Sequence, residues 1–238
     1  RRWAPLAAAV RQPRAMVLLV ASSTLIAINW LVYINAVQAH RVLETSLGYF
    51  INPLLNVVVG VVVLKESMRR PEIIAVGLAT LGVAILAVAG GALPWISLVL
   101  ACSFSAYGFV RKLVPVEAFE GLLIETLLLA PFAAGYVVWT GYDMFDLPLR
   151  LSSLLAFSGI VTAVPLLLFS AAARRLRFAT LGLLQYVAPT LQFALAIIAF
   201  HEPLDPAMII TFVLIWAGLA LLAAALIRRG RPGAAARV

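Results

Sequence analysis

The run from Pro53 to Glu66, PLLNVVVGVVVLKE, has a counterpart in the run from Pro189 to Glu202, PTLQFALAIIAFHE. At this offset of 136 residues Pro53 meets Pro189, Leu55 meets Leu191 and Glu66 meets Glu202. The register holds outward from both ends. Ala36 meets Ala172, Arg41 meets Arg177, Ile73-Ile74 meets Ile209-Ile210, and Gly82 meets Gly218. Apolar coincidences are cheap in hydrophobic sequence, but Pro, Glu, Gly and Arg matches at one offset mark an internal repeat.

The medium in which this repeat folds follows from composition. Of 238 residues, 64% are hydrophobic and 12% charged, and the mean hydropathy is +1.06. Soluble domains hold about 25% charged residues, so this chain lacks the polar surface an aqueous fold needs. Lipid is its solvent. Spans need roughly 20 apolar residues, because about 30 Å of hydrocarbon is crossed at a 1.5 Å rise per residue. The sequence predicts eight spans, over 15–37, 43–64, 72–89, 93–113, 118–140, 151–173, 178–200 and 206–227. Pro71 and Pro206 suit first-turn positions, with Glu72 and Asp205 at helix N-termini. Gly90-Gly91 separates the third helix from the fourth. The amphiphilic stretch 1–14 reads as an interfacial or cytoplasmic strip, and 228–238 as a basic tail.

With eight spans, sixteen of the eighteen Lys and Arg residues fall on the side of the N-terminus, leaving Arg41 and Arg150 opposite. The positive-inside rule then predicts that both termini are cytoplasmic. Trp95 and Trp139 fall at outer span ends, where interfacial aromatics belong. The same rule explains the net charge of +8 without a nucleic-acid partner. The single Cys102 excludes an intrachain disulfide framework.

The repeat relates the second helix to the seventh, five helices later. Five is odd, so the two copies cross the membrane in opposite senses, the inverted-repeat plan of many secondary transporters. A five-helix unit fits residues 93–227, while residues 15–89 supply three helices of the other copy. The expectation is an all-α transmembrane bundle derived from a 5+5 plan, with the first two helices of a ten-helix parent preceding residue 15.

Polar residues inside the spans are the candidate site. In the second helix Thr45, Tyr49, Asn52 and Asn56 share one face, and Gln185, Tyr186, Thr190 and Gln192 lie in the seventh. Ser22, Asn29 and Tyr33 share a face of the first helix, and Ser158 and Thr162 precede Pro165 in the sixth. Such stripes serve either as interhelical glue or as the lining of a hydrated path. Glu125 is the carboxylate set well inside a span, about 10 Å from its cytoplasmic end. It reads as a proton-coupling or cation-recognising group, as a buried partner of Arg111 or Lys112, or as a rim residue. Glu44, beside His40 and Arg41, reads as a rim group. Pro53 and Pro189 are equivalent kink positions, suited to a hinge, a site edge or simple bending. The nearly apolar third and eighth helices, with Gly77, Gly82 and Gly218, read as peripheral, and a homodimer through them is a further use of those glycines. His201-Glu202-Pro203-Leu204-Asp205 lacks the second histidine of a zinc helix, so neither metal nor other cofactor is expected. No catalytic motif stands out, and an enzyme is not expected.

The stretch Leu43-Glu44-Thr45-Ser46-Leu47-Gly48-Tyr49-Phe50-Ile51-Asn52-Pro53-Leu54 resembles the signature of the RarD group of EamA-type drug/metabolite transporters. So do Tyr107-Gly108-Phe109-Val110-Arg111-Lys112, Leu123-Ile124-Glu125-Thr126 and Thr180-Leu181-Gly182-Leu183-Leu184-Gln185-Tyr186. The resemblance implies a multi-pass permease of a bacterial inner membrane with ten helices in a 5+5 inverted repeat. It also implies a solute cavity between the first four helices of each unit, the third and eighth helices here lying outside it. The expected function is alternating-access transport of small organic metabolites or amphipathic drugs. Asn29, Tyr33, Tyr49, Asn52, Asn56, Tyr107, Glu125, Gln185, Tyr186 and Thr190 are the candidate solute contacts, with a proton as a partner of Glu125. The rival reading is a membrane scaffold or regulator that keeps the fold without transporting.

Overall fold

A computed structural model describes residues 10–39, 41–89, 95–141, 147–188, 190–191 and 206–230, with backbone alone at 42–44, 46, 47, 208, 222 and 225–230. The described residues form helices joined by short turns: α1 (Pro13–Gln38), α2 (Val42–Val62), α3 (Arg70–Ala89), α4 (Trp95–Leu113), α5 (Ala118–Thr140), α6 (Leu149–Arg175), α7 (Phe178–Gln185) and α8 (Pro206–Gly230). Five of them, α1, α3, α4, α5 and α6, are long and apolar enough to cross a membrane. Two more, α2 and α8, carry shorter apolar stretches, Gly48–Val62 and Ile209–Leu221. The expected seventh span is described only as far as residue 191. Pro189, Gln192 and the segment 201–205 lie outside the described residues, as do residues 1–9, His40 and the side chain of Glu44.

Local chemistry sets the helix ends. Pro206 opens α8, where the missing N–H costs nothing. Glu72, in the first turn of α3, accepts the Arg69 amide at 2.9 Å. The α5 helix stops at Gly141, whose φ of 66° is cheap only without a Cβ. Pro53, Pro131 and Pro165 sit within α2, α5 and α6.

The repeat is visible in the helix boundaries. Pro13, Val42 and Arg70 open α1, α2 and α3, and Leu149, Phe178 and Pro206 open α6, α7 and α8, each 136 residues later. The chain forms two compact units: Arg1–Leu31 with Ala106–Leu176, and Val32–Ser105 with Arg177–Val238. Each unit gathers corresponding helices from both copies. The first holds most of α1 with α6, together with the end of α4 and all of α5. The second holds α2 with α7, α3 with α8 and the start of α4.

In the second unit the contacts themselves come in related pairs. A Cβ on Gly82 would meet the Thr211 backbone at 3.2–3.3 Å, and one on Gly218 would meet Ala75 at 3.1–3.4 Å. Residues 75 and 211 are equivalent, as are 82 and 218, so these are one contact made twice. The matched glycines bring α3 and α8 together inside the chain. Gly82 and Gly218 are therefore occupied, and a homodimer would need other faces of these helices; only Gly77 of the three has open space at its Cβ. Thr211 adds a hydrogen bond to the Gly82 carbonyl at 2.8 Å. Phe50, Val57, Ala79, Val83, Leu183, Phe212 and Ile215 complete this core. Burying each large apolar side chain here replaces lipid or water contacts with close packing.

Glu66, in the turn after α2, reaches across to the N-terminus of α7. Its carboxylate accepts the Phe178 and Ala179 amides at 2.7 and 2.9 Å. Those amides have no partner within their own helix, and a carboxylate satisfies both charge and hydrogen bonding there. Arg177 joins the same turn to α7 by a 3.0 Å ion pair with Glu72 and a hydrogen bond to the Ser67 carbonyl.

Candidate functional site

The candidate residues separate into two groups, one in each compact unit. In the first unit Glu125 projects from α5 among groups from three other helices. Ser22 of α1 donates to Oε1. Tyr107 of α4 donates to Oε2 at 3.4 Å. Arg111, one turn beyond Tyr107, places Nη1 3.6 Å from Oε1. Side chains of Arg111 and Glu125 are 0% and 2% exposed, so this is a buried ion pair whose desolvation must be offset by hydrogen bonds. Those bonds are present. Arg111 donates from Nε to Ser170 Oγ at 3.1 Å and from Nη2 to the Ala118 carbonyl at 3.0 Å. Ser170 Oγ lies 3.4 Å from the Tyr107 hydroxyl, closing a chain from guanidinium through two hydroxyls to carboxylate. Nη1 itself makes no hydrogen bond and meets the carboxylate by charge alone.

Sequence position decides who joins this cluster. Arg111 and Lys112 are adjacent, so about 100° separates them around α4. Arg111 turns inward onto Gly121, where a Cβ would collide with the guanidinium. Lys112 instead donates to the Ala173 and Leu176 carbonyls at 3.1 and 2.6 Å, capping the end of α6. Of the readings open for Glu125, the buried partnership is the one formed, with Arg111 and not Lys112. The rim reading does not survive its burial. Two hydroxyls complete the cluster without having been expected in it: Ser22, on Glu125, and Ser170, on Arg111 and Tyr107. Ser22 lies on the same α1 face as Asn29, and that shared face is the signal that points to it.

Glu125 and Tyr107 also line a cavity of about 370 Å³. Trp30, Thr126, Ser158 and Thr162 add aromatic and hydroxyl surface, and Ile26, Leu129 and Leu166 are among its aliphatic walls. Arg111 is not part of the lining; it stands behind the carboxylate. Asn29 is buried in the same unit.

In the second unit the amides converge. Asn52 and Asn56 both donate to Gln185 Oε1, the former at 3.3 Å. The Oδ1 atoms of both asparagines are buried and without a hydrogen bond. Tyr33 and Tyr49 meet edge to face, with centroids 6.0 Å apart. Tyr186 is buried and donates to the Phe50 carbonyl at 3.2 Å, and Thr190 accepts from the Trp216 indole at 2.9 Å. Tyr186 and Thr190 therefore serve the packing of α7 in this structure.

A helical bundle with several apolar spans and a buried, ion-paired carboxylate beside a cavity defines a multi-pass membrane protein. A solved crystal structure of a protein shares the fold, with TM-score 0.69 and 18% identity over 94% of this chain and 81% of its own. No family model matches the chain. Among curated relatives, Protein RarD of Escherichia coli K12 is 46% identical over 225 residues, covering 93% of this chain and 76% of that protein. Protein RarD of Streptomyces exfoliatus is 43% identical, covering 93% and 72%, and an uncharacterized transporter of Vibrio cholerae is 40% identical, covering 100% and 80%. The chain belongs to the RarD family.

Proposed function

We propose that this chain is a secondary transporter of small amphipathic organic solutes across the bacterial inner membrane, with both termini cytoplasmic. The general role of membrane transporter accords with the relatives, several of which are uncharacterized transporters by name. The observation that carries the finer reading is Glu125: a carboxylate buried within a span, facing a cavity and held to its counterion by charge alone. Ionisable groups inside a bilayer are expensive, and they mark substrate or proton paths. A proton that neutralises Glu125 weakens its tie to Arg111 and so alters what the cavity binds. Solute and proton thereby compete for one group. Tyr107 contacts solute beside Glu125, with Asn29 in the same unit; within the second unit Tyr33, Tyr49, Asn52, Asn56 and Gln185 are further solute contacts.

Proteoliposomes loaded with a pH-sensitive dye and given an imposed pH gradient test this reading. A panel of neutral, cationic and anionic aromatic amphipaths is added from outside. At least one should discharge the gradient with protein present and not in protein-free vesicles, and Glu125→Gln should abolish that discharge. A panel that moves no proton and no solute would leave a membrane scaffold as the better description.

A further inference from the structure

The Thr and Ser hydroxyls that line the first unit's cavity donate to backbone carbonyls, and the Tyr107 hydroxyl donates to Glu125. Thr126 donates to the Leu122 carbonyl at 2.9 Å, Ser158 to the Leu155 carbonyl at 2.7 Å and Thr162 to the Ser158 carbonyl at 2.8 Å. A carbonyl can only accept, so the hydroxyl is the donor in each of these bonds. Each hydroxyl thus shows the cavity an oxygen lone pair and no hydrogen. Glu125 is likewise an acceptor. A carboxylate has about four acceptor positions; Tyr107 donates to one of them, and the single Ser22 proton is shared between Oε1 and the Leu19 carbonyl at 3.0 Å. Arg111 fills none by hydrogen bonding, since Nη1 stays 3.6 Å away. Among the described lining side chains the Trp30 indole is the uncommitted donor, and its ring face, like that of Tyr107, favours a cation. The remaining walls are aliphatic. The positive charge that balances Glu125 lies outside the lining and is tied down by Ser170 and Ala118.

From this acceptor-only lining we infer that the cavity's ligand is an amphipathic organic ammonium. Its N–H groups point at Glu125 and the Thr126, Ser158 and Thr162 oxygens, and its apolar or aromatic body lies on the aliphatic wall and the Trp30 ring. The inference rests on the transport reading for its purpose but on hydrogen-bond direction for its chemistry. An anion would meet lone pairs on every side. A neutral amphipath would fill the volume and leave Glu125 unmatched. Among the described residues the charged and titratable groups packed against Glu125 are Arg111 and Tyr107, both from α4; α1 contributes the Ser22 hydroxyl, and Ser170 of α6 reaches it through Tyr107. A proton on Glu125 therefore opposes the ammonium directly, and acid weakens its binding.

Direct binding to the purified full chain in detergent tests this without any flux. The probes are 1-naphthylmethylammonium, 1-naphthylmethanol and 1-naphthoate, followed by naphthyl fluorescence anisotropy. The ammonium should bind about ten-fold or more tighter than the alcohol, the scale of one charge-assisted hydrogen bond. Its advantage should shrink as pH falls, and Glu125→Gln should bring the two affinities together. Thr126→Val, which leaves the ion pair untouched, should weaken the ammonium by about three-fold through one lost acceptor. Equal affinities for ammonium and alcohol in the unaltered protein, or a preference for naphthoate, would overturn the inference. Such a result beside a positive vesicle assay would remove the ligand class and leave transport standing. Tight ammonium binding without any vesicle discharge would do the reverse.

Discussion

Arg111 carries a positive charge with no exposed surface, and its surroundings determine what can be changed there. Removing one partner of a buried pair leaves the other uncompensated, at a cost of about 3–5 kcal/mol, whereas removing both is close to neutral. Arg111→Met should therefore lower the unfolding temperature in detergent far more than Arg111→Met combined with Glu125→Gln. Thermal melts of the two variants check this. Equal melting temperatures would mean that the pair is not what Arg111 stabilises. The sequence could place Glu125 inside a span and suggest a cation nearby. It could not choose between Arg111 and Lys112, because that choice depends on which face of α4 packs inward. Nor could it connect Ser22 to Glu125, which lie 103 residues apart.

At the scale of elements, the turn after α2 and the start of α7 behave as one piece. Glu66 satisfies two amides that would otherwise be unpaired at the α7 N-terminus. Replacing it by Ala should release those amides, costing about 1–2 kcal/mol locally. Hydrogen exchange at Phe178 and Ala179 should then quicken by about ten-fold, with the core of α3 unaffected; unchanged exchange at both amides would rule out the cap. The helix boundaries were legible because hydrophobic length and charge placement are local properties. The fifth span was expected at 118–140 and found as Ala118–Thr140, and the first and sixth extend two residues beyond the expected starts. The cap was not legible, because Glu66 looks like any loop carboxylate until α7 is placed beside it. The matched Glu66 and Glu202 advertised the repeat without showing what the residue does.

For the whole molecule, the charge asymmetry predicts an orientation that labelling can read. The turn holding Ser67 and the connection holding Pro148 belong on opposite sides, the first cytoplasmic. In a Cys102→Ser background, a membrane-impermeant maleimide applied to intact cells should label Pro148→Cys and not Ser67→Cys. The opposite pattern would invert the topology, and labelling of both would break the span count. The sequence repeat was legible at this scale, but its three-dimensional use was not. The compact units follow neither copy; they collect equivalent helices from the two. A linear reading assigns residues to copies and carries no information on which copy each helix will pack against.

The hydrogen bond from Tyr186 to the Phe50 carbonyl joins residues 136 apart, so both ends are the same position of the repeat. The local two-fold that relates α2 to α7 therefore passes between these two residues. When two inverted copies exchange shapes, points on their axis map onto themselves while points away from it trade places. The Phe50–Tyr186 bond is one-sided, because Phe50 has no hydroxyl with which to return it to the Tyr186 carbonyl. Were the α2 and α7 copies to trade shapes, this bond would have no counterpart, so it favours the arrangement described over the exchanged one.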